Sequence, residues 1–292
     1  MFYSIVIPTY NRGHIISHSI ESVLSQSFND FEVLIIDDGS TDDTENIVKS
    51  FSDSRIKYIK NENHGVAHAR NTGIKLSSGK YIGFLDSDDV MENLHLQTAF
   101  DFINSKSNPE VIHLNFLWGS RDRSVVQKNE LPKSSPEDVF KACSLHVNCL
   151  FILNDIAKNN LFNESKELMF AEDWDFFIKL AVRYQICYLD KTTTYLIDHE
   201  ERSMRDFDEQ KWKLRRDALI LSLKQDEIIQ KSYLHKIKVV EAHMNSLIAI
   251  GLAVKKNKIK TLKYLLLSIK QNVNDFFSLR TLAIIKHLLF TW

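Results

Sequence analysis

The sequence predicts an α/β fold: a mostly parallel sheet flanked by helices, followed by a helical extension. Three observations carry this. Short β-rich runs alternate with helical runs over the first two-thirds of the chain, the pattern of βαβ units. Two acidic clusters, Asp37/Asp38 and Asp86/Asp88/Asp89, each follow a strand directly. After Asp208 there is no proline and one glycine, Gly251, and apolar residues recur at helical spacing.

In order, residues 4–7 read as a strand closed by Pro8, and Thr9-Tyr10-Asn11-Arg12-Gly13 as a turn-rich loop. Residues 14–27 place Ile15, Ile16, Ser19, Ile20, Val23 and Leu24 on one helical stripe. A second strand, 31–36, runs into the acidic loop 37–43, which offers a good N-cap for a short helix over 44–50. Residues 55–60 form a third strand and 61–65 a loop. The helix over 66–76 ends at Ser77-Ser78-Gly79, as a C-cap would. Tyr81-Ile82-Gly83-Phe84-Leu85 lies in the fourth strand, and residues 90–104 are expected to be helical. Further strands are expected at 111–118 and 148–153, with a polar loop over 119–136 between them. A helix over 171–184 opens with Glu172-Asp173-Trp174-Asp175, and short strands follow at 186–189 and 193–197. Residues 208–292 read as three to five helices. The domain division is 1–205 and 206–292.

Hydrophobic and charged shares of 44% and 26% are those of a soluble globular protein. A net charge of −1 argues against a nucleic-acid binder for the molecule as a whole. The distribution is uneven, however: residues 228–292 carry +9 and the first 227 carry −10. A basic tail points to an anionic surface, membrane or nucleic acid. Cys143, Cys149 and Cys187 have no CxxC spacing, which argues against a zinc site or disulfide framework and suggests a reducing compartment. Residues 1–8 lack a signal-peptide pattern, and no apolar run reaches transmembrane length, so a cytoplasmic protein, peripheral to a membrane at most, is expected.

The acidic loop Asp86-Ser87-Asp88-Asp89 has two readings. Asp86 and Asp88 suit a hard divalent cation, Mn²⁺ or Mg²⁺, holding a diphosphate. Alternatively the carboxylates cap the next helix. Two acidic loops on one edge of a parallel sheet favour a site, because open α/β sheets bind ligands at the strands' carboxyl ends. Tyr10 offers an aromatic face for a base, or caps the core. Asp38 can accept a hydrogen bond from a ring N–H. Arg70 offers a planar fork of donors for base or phosphate, or is a solvated helix residue. Asp173 is a candidate general base, with Glu172 and Asp175 as competitors and an ordinary acidic first turn as the plain alternative.

Taken together these motifs resemble family 2 glycosyltransferases, which have the Rossmann-like GT-A fold. The resemblance rests on Ile5-Val6-Ile7-Pro8-Thr9-Tyr10-Asn11-Arg12, Val33-Leu34-Ile35-Ile36-Asp37-Asp38-Gly39-Ser40 and His64-Gly65-Val66-Ala67-His68-Ala69-Arg70-Asn71. Phe84-Leu85-Asp86-Ser87-Asp88-Asp89 and Phe170-Ala171-Glu172-Asp173-Trp174-Asp175 continue it, so it spans residues 3–205. It implies a metal-dependent, inverting hexosyl- or N-acetylhexosaminyl-transferase that uses a nucleotide sugar, with UDP as the expected carrier. It implies a glycan or lipid-linked acceptor in bacterial surface polysaccharide synthesis. Pro8, Thr9, Tyr10, Asp38, Asn63, Arg70 and Asp86 would bind the donor. Asp88, Asp86 and His199 would face the metal, Asp89 would cap the next helix, and Asp173 would be the base. The family's histidine segment is followed differently here, by Glu200-Glu201, and His64 stands where glycine is common.

Two rival readings remain. A nucleotidyltransferase needs a glycine-rich phosphate loop, whereas Pro8-Thr9-Tyr10-Asn11-Arg12-Gly13 has one glycine. A non-catalytic nucleotide-binding scaffold would not need Asp38, Asp86, Asp88 and Asp173 together. In the tail, Leu262, Leu265, Leu266, Ile269, Val273 and Phe276 form one helical stripe among lysines, and Leu282, Ile285, Leu288 and Leu289 a second. These helices either pack on the catalytic domain or lie on anionic lipid.

Overall fold

The computed structural model describes residues 1–133, 136–142, 144–198 and 207–290. The elements begin with β1 (Tyr3–Thr9), α1 (Ile16–Leu24), β2 (Phe31–Asp37), α2 (Thr44–Lys49), β3 (Ile56–Lys60), α3 (Val66–Leu76) and β4 (Tyr81–Phe84). Next come β5 (Val90–Met91), α4 (His95–Ser105), β6 (Val111–Ser120), β7 (Val126–Lys128), α5 (Glu137–Lys141), β8 (Leu150–Leu153) and α6 (Asn154–Asn159). The rest are α7 (Glu172–Ala181), β9 (Ile186–Asp198), α8 (Glu209–Gln225), α9 (Ile237–Val254), α10 (Lys258–Gln271) and α11 (Leu279–Phe290). The chain divides into two compact units. The first is Met1–Lys133, Ser144–Glu164 and Tyr184–Arg202; the second is Ser134–Cys143, Ser165–Arg183 and Ser203–Trp292.

The first unit holds the whole sheet, in the order β3-β2-β1-β4-β8-β6-β9-β5, with β7 on β6. Strands β3, β2, β1 and β4 are mutually parallel, as the βαβ pattern predicts. Beyond β4 the sheet is mixed: β8 is antiparallel to β4 and β6, while β6 is parallel to β9. Every residue of β1 and β2 is buried, the signature of strands covered on both faces. Four of those buried residues are polar, and two of them, Ser4 and Glu32, satisfy each other. Ser4 donates to Glu32 at 2.6 Å, and Lys57, at 2.6 Å, and Ser78 complete the carboxylate's shell. Burial works to raise the pKa of Glu32, but these donors prevail and hold it at about 2. Helix α3 lies close on β1 because residue 73 is glycine. A Cβ there would stand 2.3 Å from Val6 Cγ1.

Four local expectations are corrected. Residues 90–104 are not one helix: Val90 and Met91 pair with Tyr195 and Thr194 of β9, and α4 starts only at His95. The 119–136 loop contains a hairpin, because β6 continues to Ser120 and β7 folds back on it. The two short strands after residue 185 are one strand, β9, bent by register shifts opposite Asn115. Residues 147–149 form a 3-10 turn before β8 begins.

The second unit is wholly helical among the described residues. Helix α9 is its axis, with α5, α8, α10 and α11 packed on it. Trp174 of α7 donates its indole N–H to the Val139 carbonyl at 2.7 Å and sets its ring edge-on to His243. The expectation that no segment reaches transmembrane length is also corrected. Within the 26-residue helical stretch Ile229–Val254, 18 consecutive residues reach a mean hydropathy of 1.4, enough by length and composition. Of those 18 residues 61% is buried, as in a core helix.

Candidate active site

In the first unit, β1 lies between β2 and β4, so the chain leaves it toward one side of the sheet and returns on the other. The carboxyl ends of these strands at that switch point form the expected ligand crevice. Pro8 and Thr9 end β1, buried. Thr9 is 3% exposed, and among the described residues its hydroxyl has no hydrogen-bond partner. Tyr10, immediately beyond, is 46% exposed, so its ring is not a core cap. The tips of β1 and β2 are joined by Asp38 N–H donating to the Thr9 carbonyl at 2.9 Å.

Asp38 is buried and accepts from the backbone N–H groups of His64 at 2.9 Å and Gly65 at 2.8 Å. It therefore fixes the loop that leads into α3. An ionised carboxylate has about four lone-pair sites, so two such bonds leave acceptor capacity. Gly39 makes that approach feasible: its φ is +82°, and a Cβ would meet the Asn63 nitrogen at 3.0 Å. Asn63 itself is exposed at the loop tip.

Arg70, on α3, is 3% exposed and donates to Asp86 Oδ1 at 2.9 Å, while its guanidinium lies 5.4 Å from the Phe162 ring centre. It is a buried partner of the acidic loop rather than a solvated helix residue. Arg12 faces Asp88 at 3.7 Å. Each of the two acids expected to serve a metal thus faces one arginine.

Asp89 does not cap α4, whose first turn has no side-chain cap. It is buried instead, with Oδ1 accepting from Ile197 N–H and Oδ2 from the Asn148 side chain, both at 2.8 Å. Asn148 is 0% exposed, and its Oδ1 also accepts from Asp86 N–H at 2.9 Å. One side-chain amide therefore clasps both ends of Asp86-Ser87-Asp88-Asp89. His146 stands beside it, with Nε2 at 3.9 Å from Asp86 Oδ2 and Nδ1 accepting from Asn148 N–H at 3.3 Å. Ligand atoms of Asp86, Asp89 and His146 lie within 4.8 Å of one another. Carboxylates and an imidazole fit a divalent cation by type, and the loop presents Asp86 and Asp88 on partly exposed side chains. His199 lies outside the described residues.

Asp173 belongs to the second unit, in the first turn of α7. Glu172 and Asp175 are 5% and 1% exposed, whereas Asp173 is half-buried. Asp175 is bonded to Lys179 at 2.8 Å, and burial pushes its pKa up. Phe170, just before the helix, takes a left-handed backbone with φ of 71° and packs on the Arg215 guanidinium at 4.5 Å.

Sequence reasoning missed Asn148 and His146 and gave Arg12 no role. Arg12 was legible, since it ends the loop after β1. His146 and Asn148 precede β8 and show no motif or spacing; only the antiparallel pairing of β8 with β4 brings them to the acidic loop.

Residues 4–147 match the family model described as glycosyl transferase family 2. The chain is 36% identical over 187 residues to UDP-Glc:alpha-D-GlcNAc-diphosphoundecaprenol beta-1,3-glucosyltransferase WfgD of Escherichia coli, covering 61% of this chain and 68% of that protein. It is 31% identical over 212 residues to the chondroitin synthase of E. coli, covering 71% of this chain but only 31% of the synthase. Among solved structures, S. aureus TarS 1-349 in complex with UDP-GlcNAc superimposes with a TM-score of 0.65 at 20% identity, over 97% of this chain and 90% of that one. At that identity the likeness speaks for the fold, which is GT-A. The acidic loops on one sheet edge and the likeness to WfgD over two-thirds of its length lead to one assignment: the chain belongs to glycosyl transferase family 2.

Proposed function

We propose that the chain transfers a sugar from a UDP-linked donor to a hydroxyl of a lipid-linked saccharide or growing glycan, with inversion at the anomeric carbon. The observation that carries this is the crevice at the tips of β1, β2 and β4, where the buried Thr9 hydroxyl has no partner among the described residues. A nucleoside with donors and acceptors on its base fits that chemistry. The exposed Tyr10 ring stacks on the base, and Asp38 accepts its ring N–H through the capacity it retains. Pro8 and Asn63 line the same pocket. Arg70 orients Asp86 toward ribose or metal-bound water. Asp86 and Asp88 would hold Mn²⁺ or Mg²⁺, with His199 as a third ligand. The cation supplies Lewis-acid neutralisation of the diphosphate leaving group.

Asp173 serves as general base. The acceptor hydroxyl must lose a proton as it attacks, and Asp173 is the partly exposed acid of the α7 turn. A single base implies direct displacement and inversion. The names of the relatives support the substrate class. WfgD is named for UDP-Glc and a diphosphoundecaprenol-linked acceptor, and the GgaA protein of Bacillus subtilis for teichoic acid biosynthesis. The free thiols Cys149 and Cys187 are in keeping with the cytoplasmic side of a membrane.

The test is a thermal-shift screen of nucleotide sugars with and without Mn²⁺, followed by transfer to a polyprenyl-diphosphate-linked sugar. One UDP-sugar is expected to raise the melting temperature in a metal-dependent way. Asp173→Asn is expected to keep that shift and lose at least a hundredfold in turnover, the usual weight of a general base. No response to any nucleotide sinks the proposal. Unchanged turnover in Asp173→Asn removes that residue from the mechanism.

A further inference from the structure

Helices α10 and α11 in the second unit are built inside out. On α10 the buried face carries Thr261, Tyr264, Leu265 and Ser268. The two hydroxyls there are satisfied locally: Thr261 donates to the Asn257 carbonyl and Ser268 to the Ala242 carbonyl of α9, at 2.8 and 2.9 Å. The opposite face exposes Ile259, Leu262 and Leu266, at 86%, 49% and 57%. Their spacing of three and four residues puts them on one stripe. On α11, Thr281 and Ile284 are wholly buried, while Leu279, Leu282 and Leu289 are 85%, 57% and 59% exposed, again at helical spacing. Arg280 ties that helix to α9 through Ser246 at 2.7 Å, so the inward face is specified by hydrogen bonds and the apolar stripe is left outside. Soluble proteins seldom expose apolar side chains in contiguous rows, and such rows mark an interaction surface.

The charge around these stripes identifies the partner. Residues 255–290 contain seven lysines and Arg280 against Asp275, a net of +7. At 100° per residue, Lys263 and Lys270 flank the α10 stripe on one side, and Lys286 falls between Leu279 and Leu282 around α11. A long lysine side chain can lay its methylenes along an apolar surface while its ammonium reaches an anionic headgroup. A second copy of this chain would bring +7 against +7, which disfavours self-association through this face. We propose that α10 and α11 form an interfacial docking surface for an anionic lipid bilayer, with leucines in the acyl boundary and lysines at the headgroups. This goes beyond the transfer reaction and does not depend on it.

The test uses the full chain and sucrose-loaded vesicles, either phosphatidylglycerol/phosphatidylcholine or phosphatidylcholine alone. The protein is expected to sediment with the anionic vesicles at least tenfold more strongly than with neutral ones, and less so in high salt. A Leu262→Glu/Leu266→Glu/Leu279→Glu/Leu282→Glu variant is expected to lose sedimentation while keeping the wild-type melting temperature, since all four residues are exposed. UDP-sugar binding is read on the same samples. Vesicle binding by a chain that binds no nucleotide therefore leaves this surface standing and removes only the transfer reading. Equal sedimentation of variant and wild type overturns the lipid surface. So does a lipid-free dimer that the four substitutions abolish, which would make the face a subunit contact.

Discussion

At the scale of single residues, the acidic loop shows how much depends on a side chain that performs no chemistry. Asn148 bonds Asp86 N–H and the Asp89 carboxylate at once, at 2.9 and 2.8 Å, from a fully buried position. With Asp89 also held by Ile197 N–H, the loop is pinned at both ends, and Asp86 and Asp88 are presented between fixed points. Asn148 is therefore a positioning residue. Asn148→Ala strands two buried polar groups and is expected to cost about 2–3 kcal/mol in stability. It is also expected to weaken the Mn²⁺ response of the donor-bound protein by about 10–100-fold, as loss of an outer-shell partner does elsewhere. Titrating Mn²⁺ at saturating UDP-sugar separates the two effects. A lower melting temperature with an unshifted metal titration would make Asn148 purely structural. The arginines divide differently. Arg70 is buried against Asp86, while Arg12 meets Asp88 at 3.7 Å on a partly exposed side chain, so Asp88 is the easier of the two to recruit to a cation.

At the scale of elements, what could be read from the sequence was what depends on near neighbours. Strands β1 to β4 and the helices between them follow from alternation, turn residues and apolar stripes, each local over about ten residues. Placing Asp38 and Asp86 on one edge required only that β1, β2 and β4 be parallel. The misread pieces around the acidic loop depend on distant partners, whereas the β6–β7 hairpin and the 147–149 turn are local. Val90 and Met91 are strand because β9 lies alongside, more than a hundred residues later in the chain, and Asp89 is a tether for the same reason. Asn148 and His146 reach the site through the β8–β4 pairing, which no local pattern announces. Close packing is similarly invisible until the elements are assembled. Gly73 allows α3 to lie on β1, because a Cβ would stand 2.3 and 2.8 Å from the γ-carbons of Val6, a stiff and fully buried residue. Gly73→Ala is expected to cost about 1–3 kcal/mol by overpacking, despite the better helix propensity of alanine. Because Arg70 rides on α3, the variant is also expected to loosen its bond to Asp86 and weaken donor binding. Val6→Ala in the same chain removes the clashing methyls, so the double variant should recover part of both losses. Purely additive losses in the double-mutant cycle would show that the two residues do not meet.

At the scale of the whole molecule, the buried titratable groups decide how the protein meets acid. His95 and His113 are both fully buried in the sheet unit, and burial pulls each down to about pKa 3; in His113 the bond to the His146 carbonyl opposes this and is outweighed. In the unfolded chain both titrate near the ordinary value of about 6.5. Between those values the unfolded state binds more protons, so stability is full above about pH 6.5 and falls as the pH drops below it. His243 of the helical unit is also pulled down to about 3 by burial, and the three groups together give a slope of about 4 kcal/mol per pH unit, or about 6 kcal/mol lost by pH 5. That is a large share of the 5–15 kcal/mol typical of folded proteins. Glu32 does not contribute in that window. Its pKa is depressed to about 2, so its stabilisation is present above the ordinary carboxylate range and is lost only as the pH falls from there through about 2. Asp175, in the helical unit, has its pKa raised by burial and pulls the other way, taking up its proton more readily in the folded state. Its effect is common to wild type and variant, so a comparison cancels it. Urea unfolding followed from pH 7.5 to 5 is expected to show His113→Gln with a slope one proton shallower than wild type. The mechanism requires that difference. Parallel curves would mean that His113 is protonated in the folded chain despite its burial.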